Sequence, residues 1–276
     1  MNFDLALEIA ARHCGTGSQD CEWYHGSWHL LKSLGVVSTS AMHESGLKAL
    51  LINAIATSSL PRILITGSTD ETLLRLVHET CQEQDKPATL VATDICDTPL
   101  AFMKHYADNN NFSLATYRSD ILKFKPNQQF DVILTHAFMG YFDETKRPLL
   151  VSRWAELLAT GGAIATIQRV RPAHMPDIVG FDAEQAETFV MSATAKAQEL
   201  NYPLSLQTRA IETAKLFARR FSTYSIRSRQ ELEGLFLQAG LKFRTLEYRH
   251  YGKKGVLSGP AVPSDAEYAH LIAEKR

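Results

Sequence analysis

Between residues 62 and 136 the apolar positions fall in short continuous runs, each stopped by glycine or a polar residue. Arg62-Ile63-Leu64-Ile65-Thr66 stops at Gly67, residues 88–93 stop at Asp94, residues 112–117 run into Arg118-Ser119-Asp120-Ile121, and residues 132–134 end at Thr135-His136. Such runs are typical of strands buried on both faces of a parallel sheet. Leu73, Leu74, Val77 and Cys81 share one face of a predicted helix, and Leu100, Met103 and Ala107 do so behind Pro99, a residue suited to a first helical turn. A helix through Leu150, Val151, Trp154, Leu157 and Leu158 stops at Gly161-Gly162, ahead of a fifth strand at 163–167. Alternating strands and helices predict a doubly wound, Rossmann-like α/β sheet, in which ligands bind outside the carboxyl ends of the strands. The tips at Gly67, Asp94, Asp120 and Thr135-His136 therefore face one crevice. A carboxylate at the second tip, some 20 or more residues past the first turn, suits a ribose diol.

The flanks read differently. Residues 2–12, 23–31 and 40–57 have helical periodicity, with Ser38-Thr39-Ser40 as candidate N-caps, and predict a helical cap over 1–60 ahead of an α/β domain at 61–276. Trp23-Tyr24-His25-Gly26-Ser27-Trp28 concentrates aromatic residues. Two readings stand: Trp28 and its neighbours pack against the core, or the segment is a lid with Tyr24 and His25 turned toward a substrate. Residues 170–224 predict a helical insertion beside the fifth strand, a second candidate lid. Ser228 and Glu231 form a capping box for a helix closed by Gly240, followed by a strand over 241–248 that is expected to pair with 255–261. The tail after Pro263 reads as mobile or as a short surface helix.

Composition narrows the function. The net charge of −1 lacks the basic footprint of a nucleic-acid binder. The first residues carry acids where a signal peptide needs bases, and no apolar run reaches the roughly 20 residues of a membrane span, so a cytoplasmic protein is expected. His13, Cys14, Cys21 and His25 are zinc-ligand types close in sequence, but their spacing matches none of the common sites and no metal is assigned.

The ordered set resembles the class I S-adenosylmethionine-dependent methyltransferases over about residues 60–170. The likeness rests on the glycine turn at 63–67, Asp94-Ile95 with Thr98-Pro99-Leu100, Asp120-Ile121, Phe130-Asp131-Val132, and Glu156-Leu157-Leu158-Ala159-Thr160-Gly161-Gly162-Ala163. It implies a seven-stranded sheet, mostly parallel with a C-terminal antiparallel pair. It also implies S-adenosylmethionine as cofactor: Gly67, Ser68 and Thr69 near its methionine part, Asp94 with Ile95 at the ribose, Asp120 with Ile121 at the adenine, and Thr135 beside them. The family's acidic residue before the first glycine and its later glycines are replaced by Ile65, Thr69 and Glu71. Either Ser68, Thr69 and Asp70 supply substitute hydrogen bonds, or binding at that end is weaker.

Methyl transfer mainly needs alignment, with proton removal where the nucleophile requires it. His136 is the candidate base, because an imidazole at that strand tip would face the methyl group. Its alternative is a purely structural histidine. Tyr24, His25, Trp28, Tyr141 and Arg169 are candidate acceptor contacts, Arg169 and Arg171 suiting an anionic group. The resulting expectation is a methyltransferase acting on a small-molecule acceptor under helical lids, with the aromatic cap offering a surface for a homodimer. The alternative is a non-catalytic protein that binds cofactor or partner on the same fold. A nicotinamide enzyme is disfavoured by the absent G-x-G-x-x-G.

Overall fold

The computed structural model describes residues 3–14, 21–251 and 266–276. Helices α1 (Phe3–His13), α2 (Glu22–Ser33) and α3 (Glu44–Ala54) precede β1 (Arg62–Thr66), α4 (Thr72–Glu83), β2 (Thr89–Asp94), α5 (Asp97–Asn109), β3 (Leu114–Arg118), β4 (Phe130–His136), α6 (Arg147–Leu157) and β5 (Leu158–Val170). The insertion comprises β6 (Ile178–Gly180), α7 (Ala183–Glu199), α8 (Leu204–Arg220) and β7 (Ser222–Tyr224), and the chain continues through α9 (Arg229–Gln238), β8 (Leu241–Arg249) and β9 (Glu267–Lys275).

Seven strands make one sheet in the order β3-β2-β1-β4-β5-β9-β8, parallel through β5 and antiparallel at β9 and β8. β1 lies between β2 and β4, so successive connections leave it in opposite directions and a crevice opens beyond its carboxyl end. The apolar runs form both faces of this sheet: Ile63 and Ile65 pack with α4 through Leu73, Leu74 and Val77, while Leu64 and Ile133 pack with Trp154 of α6.

Three local expectations change. The antiparallel partner of β8 is β9, drawn from the tail expected to be mobile or a surface helix; residues 255–261 lie outside the described residues. The charged ends Glu267, Glu274 and Lys275 obscure an apolar run whose members from Tyr268 to Ala273 are all buried, and this run forms an inner strand rather than an edge. Helix α6 ends at Leu157 and the Gly161-Gly162 pair belongs to β5, where a Cβ on Gly162 would stand 2.8 Å from the Phe130 carbonyl oxygen. Ser40 opens a 3-10 turn and not an α-helix, and neither that turn nor α3 has a side-chain cap.

The N-terminal helices divide between two layers. The Leu47, Leu50 and Leu51 stripe of α3 packs on the sheet with Ile167 and Ile272. α2 instead packs Trp28, Leu30 and Leu31 against Phe189 and Phe217 of the insertion helices. The cap over the crevice is thus built from α2 and the α7–α8 pair.

Candidate cofactor and acceptor site

Two hollows adjoin at the carboxyl ends of the strands. The larger, about 550 Å³, is lined by Gly67, Ser68 and Thr69 after β1, by Asp94, Ile95 and Cys96 after β2, and by Ser119, Asp120 and Ile121 after β3. The smaller, about 130 Å³, is lined by His136, Gln168, Arg169, Arg171, Tyr268 and residues 37–40. Both share Tyr24, Gly67, Ser68, Thr69, Tyr141 and Phe221, so the hollows meet at the glycine turn beneath α2 and α8.

The β1 turn is sterically constrained. Gly67 has φ +67°, a left-handed conformation that costs an L-residue roughly 1–2 kcal/mol, and a Cβ there would collide with the Phe138 ring. Ser68 donates to the Asp70 carbonyl at 2.6 Å. Asp70 does not face the hollow as a free acceptor. Its carboxylate takes hydrogen bonds from Trp28 Nε1 at 2.8 Å, Lys32 Nζ at 2.7 Å and the Thr72 amide at 2.8 Å. Burial alone would push its pKa up, but the Lys32 charge and these donors outweigh it and hold the carboxyl below its ordinary value. Asp70 therefore caps α4 and anchors α2, leaving Ser68 and Thr69 as the polar groups of the turn. Thr69 Oγ1 lies 3.0 Å from the Tyr24 hydroxyl, which lies 2.9 Å from the Tyr141 hydroxyl.

The next two strand ends converge as their positions predict. Register sets Thr66 beside Thr93 and Asp94 beside Arg118, and the Ser119 amide donates to the Asp94 carbonyl at 2.8 Å. The Asp94 carboxylate accepts from the Cys96 amide at 2.9 Å, and burial raises its pKa to about 6. Asp120 accepts from the Leu122 amide at 3.0 Å, a local turn that leaves its second oxygen unpaired among the described residues. Ile95 is 47% exposed at the lip of the hollow, while Ile121 is buried in the floor. Thr135 is among neither set of lining residues: it is fully buried, because alternation along β4 sends it to the face opposite His136.

The smaller hollow is cationic. Arg169 Nε donates to the Tyr268 hydroxyl at 3.0 Å, and its guanidinium lies over that ring at 5.4 Å. Arg171 is buried and donates to the Tyr224 carbonyl at 3.2 Å and Thr223 Oγ1 at 2.8 Å. Neither arginine pairs with a carboxylate among the described residues. Burial, then repulsion from Arg169, lowers the Arg171 pKa to about 9. His136 sits beside His43, ring centroids 5.1 Å apart, with its Nε2 unpartnered. Burial first, then His43, Arg169 and His270, holds its pKa near 3, so the imidazole is neutral.

The sequence reading missed Gln168, Tyr268 and the aromatic turn at Phe138–Tyr141 apart from Tyr141. The run Phe138-Met139-Gly140-Tyr141-Phe142 directly after a strand tip was the available signal for the turn. Tyr268 gave none, because only strand pairing brings it next to Arg169.

The fold defined by this sheet order and this crevice is that of the class I S-adenosylmethionine-dependent methyltransferases. Among solved structures, the chain is similar to an S-adenosylmethionine-dependent methyltransferase from Clostridium acetobutylicum, with TM-score 0.52 at 10% identity over 84% of this chain and 91% of that one. It is also similar to the N-methyltransferase NodS from Bradyrhizobium japonicum in complex with S-adenosyl-L-homocysteine, with TM-score 0.50 at 11% identity over 91% and 99%. Against TehB from Haemophilus influenzae the chain spans 61% of that protein's length, with 82% of its own covered at 12% identity and TM-score 0.49. No protein-family model matches the sequence, and no curated protein matches it. No described helix is long and apolar enough to cross a membrane.

Proposed function

We propose that the chain is an S-adenosylmethionine-dependent methyltransferase acting on a small-molecule acceptor that carries an anionic group and an oxygen, nitrogen or sulfur nucleophile. The observation that carries this reading is the convergence of Gly67, Asp94 and Asp120-Ile121, from three successive strand ends, on one hollow of about 550 Å³. The residues fit the cofactor chemically. Asp94 offers an acceptor to a ribose diol, Ile95 and Ile121 offer apolar surface to a purine, and Asp120 offers an acceptor to its exocyclic amine. Ser68 and Thr69 face the methionine end, and the rings of Tyr24, Tyr141 and Phe221 surround the junction, where aromatic faces favour a cation. When bound, the cofactor supplies a methyl group already activated by its sulfonium.

The chain's own residues then have to align a nucleophile and keep water away. Trp28, Tyr24 and Phe217 close the smaller hollow from above, Arg169 and Arg171 attract an anion, and Gln168 adds a polar contact. His136 is neutral at physiological pH, so it would orient the nucleophile by accepting its hydrogen. With so low a pKa, it would receive the proton only as methyl transfer acidifies that group. NodS, of the same fold, is seen with S-adenosyl-L-homocysteine, which agrees with the cofactor assignment.

Calorimetric titration with S-adenosylmethionine and S-adenosyl-L-homocysteine tests the reading, with binding of both expected. Absence of heat with either ligand, in a sample shown to be folded, removes it. Given binding, mass-spectrometric screening of carboxylate-bearing acceptors against neutral analogues tests the acceptor class.

A further inference from the structure

At one wall of the larger hollow, where Cys21, His25 and Cys96 are lining residues, the described residues hold a group of metal-ligand side chains to which the proposed methyl transfer assigns no role. Cys14 at the end of α1, Cys21 just before α2, His25 within α2, and Cys96 after β2 bring one ligand atom each to within 4.8 Å of all the others. Cys14, His25 and Cys96 are buried and Cys21 is partly so. None of these cysteines is in a disulfide.

The separations match a metal-centred tetrahedron. With Zn–S near 2.3 Å and Zn–N near 2.0–2.1 Å, tetrahedral angles demand S···S edges of roughly 3.8 Å and S···N edges of roughly 3.5 Å. Cys21 Sγ is 3.4 Å and Cys14 Sγ is 4.0 Å from Cys96 Sγ, and Cys14 Sγ is 3.4 Å from His25 Nδ1. A sulfur–sulfur bond needs about 2.05 Å and would join only two of the three thiols. The surroundings also suit thiolates: the fully buried Thr98 sets its hydroxyl 3.0 Å from Cys14 Sγ and donates its amide to Cys96 Sγ at 3.4 Å. Donors of this kind orient and stabilise sulfur ligands from outside the coordination sphere.

We propose that Cys14, Cys21, His25 and Cys96 bind one Zn²⁺ as a closed, structural Cys₃His site. Binding joins three Zn–S bonds and one Zn–N bond, releases the three thiol protons to solvent and changes no oxidation state. With every position taken by protein, the ion has no open site for water or substrate. Its role is to tie α1 and α2 to the end of β2. The Cys96 amide is also the donor to Asp94, so the same ion fixes the β2 loop. The assignment does not rest on methyl transfer, because it is read from metal content and spectrum without cofactor or acceptor.

The test uses the full chain, kept reduced, reconstituted with zinc chloride and desalted over a weak chelating resin. Elemental analysis is expected to find about one zinc per chain, and cobalt substitution to give the intense d–d and thiolate charge-transfer bands of a tetrahedral sulfur-rich site. Cys14→Ser and Cys96→Ser are each expected to lower occupancy about tenfold or more, whereas Cys81→Ser, buried apart on α4, retains it. Less than about a tenth of a zinc per chain, or occupancy unchanged in both Cys14→Ser and Cys96→Ser, overturns the proposal. Should those variants not fold, the wild-type cobalt spectrum decides, and bands of a six-coordinate, sulfur-free ion overturn it.

Discussion

The hydroxyl of Tyr24 lies 2.9 Å from that of Tyr141, across 117 residues of sequence, and the pair spans the line where the two hollows meet. One ring comes from the capping helix α2 and the other from the turn that follows β4. The contact thus joins α2 to the turn after β4 at the junction of the two hollows, where the proposed function would have a methyl group pass.

Removing either hydroxyl should separate closure from folding. Tyr24→Phe and Tyr141→Phe each delete one partner of a hydrogen bond whose typical net value is about 0.5–1.5 kcal/mol. We expect unfolding midpoints close to wild type and kcat/KM lower by about threefold to tenfold. In the double variant the losses should be less than additive, because either single variant already loses the shared Tyr24–Tyr141 contact, while Tyr24→Phe also loses the one to Thr69. Additive losses would mean that the two rings act separately.

Asp94→Ala should act on cofactor affinity. Hydrogen bonds to a charged group are worth about 1.5–3 kcal/mol, so S-adenosyl-L-homocysteine should bind roughly ten- to hundredfold more weakly, as read by calorimetry. Asp120→Ala should weaken it less, since Asp120 would meet a single exocyclic amine whereas Asp94 would meet both hydroxyls of a diol. Unchanged affinity in Asp94→Ala would place the ribose elsewhere.

Gly67→Ala combines two penalties. The left-handed φ costs roughly 1–2 kcal/mol, and the new methyl collides with Phe138, an overpacking of about 1–3 kcal/mol. A loss of about 2 kcal/mol or more should appear in denaturant unfolding. Adding Phe138→Leu should recover the collision part only. Failure of the second substitution to recover any stability would show that the ring is not the obstacle.

The buried histidines predict an acid-sensitive fold. His43 and His270 are each 2% exposed, and their pKa values are held near 4. Burial is the main cause for both, followed by His270 and Arg169 for His43 and by Arg249 for His270, where Glu247 opposes the shift. The Tyr251 hydroxyl lies 2.6 Å from His270 Nε2, and Tyr251 and Tyr268 pack against the His43 ring. Between pH 6.5 and about 4 the unfolded chain binds these protons and the folded chain does not, so stability falls as pH drops through that window. The expected loss is on the order of 1–3 kcal/mol per histidine. Unfolding midpoints at pH 7.5 and 5 would measure it, and His43→Phe should flatten the dependence; an unaltered slope would remove His43 as a contributor.

The sheet and its ligand-binding end were legible in sequence because short buried strands and the residues that stop them are local features. Ile63, Leu64 and Ile65 ahead of Gly67 are enough to read a buried strand and its turn, and Asp94 and Asp120 fall at strand ends by counting alone. Tyr268 was not legible. Its strand has charged ends, and nothing nearby in sequence indicates that β9 enters between β5 and β8 beside Arg169. Asp70 similarly reads as a polar turn residue, and only the approach of Trp28 and Lys32 from α2 turns it into an anchor.

What the amino-acid order determined by itself is the doubly wound sheet, the position of its crevice and the carboxylates at its rim, since hydrophobic periodicity and strand ends are set within a few residues. What the tertiary structure decided is everything assembled across distance: the cationic pocket of Arg169, Arg171 and Tyr268, the tyrosine pair, and the gathering of Cys96, rather than His13, with Cys14, Cys21 and His25. Coordination and pocket chemistry depend on angstrom-scale separations between side chains, and those follow from packing rather than from spacing along the chain.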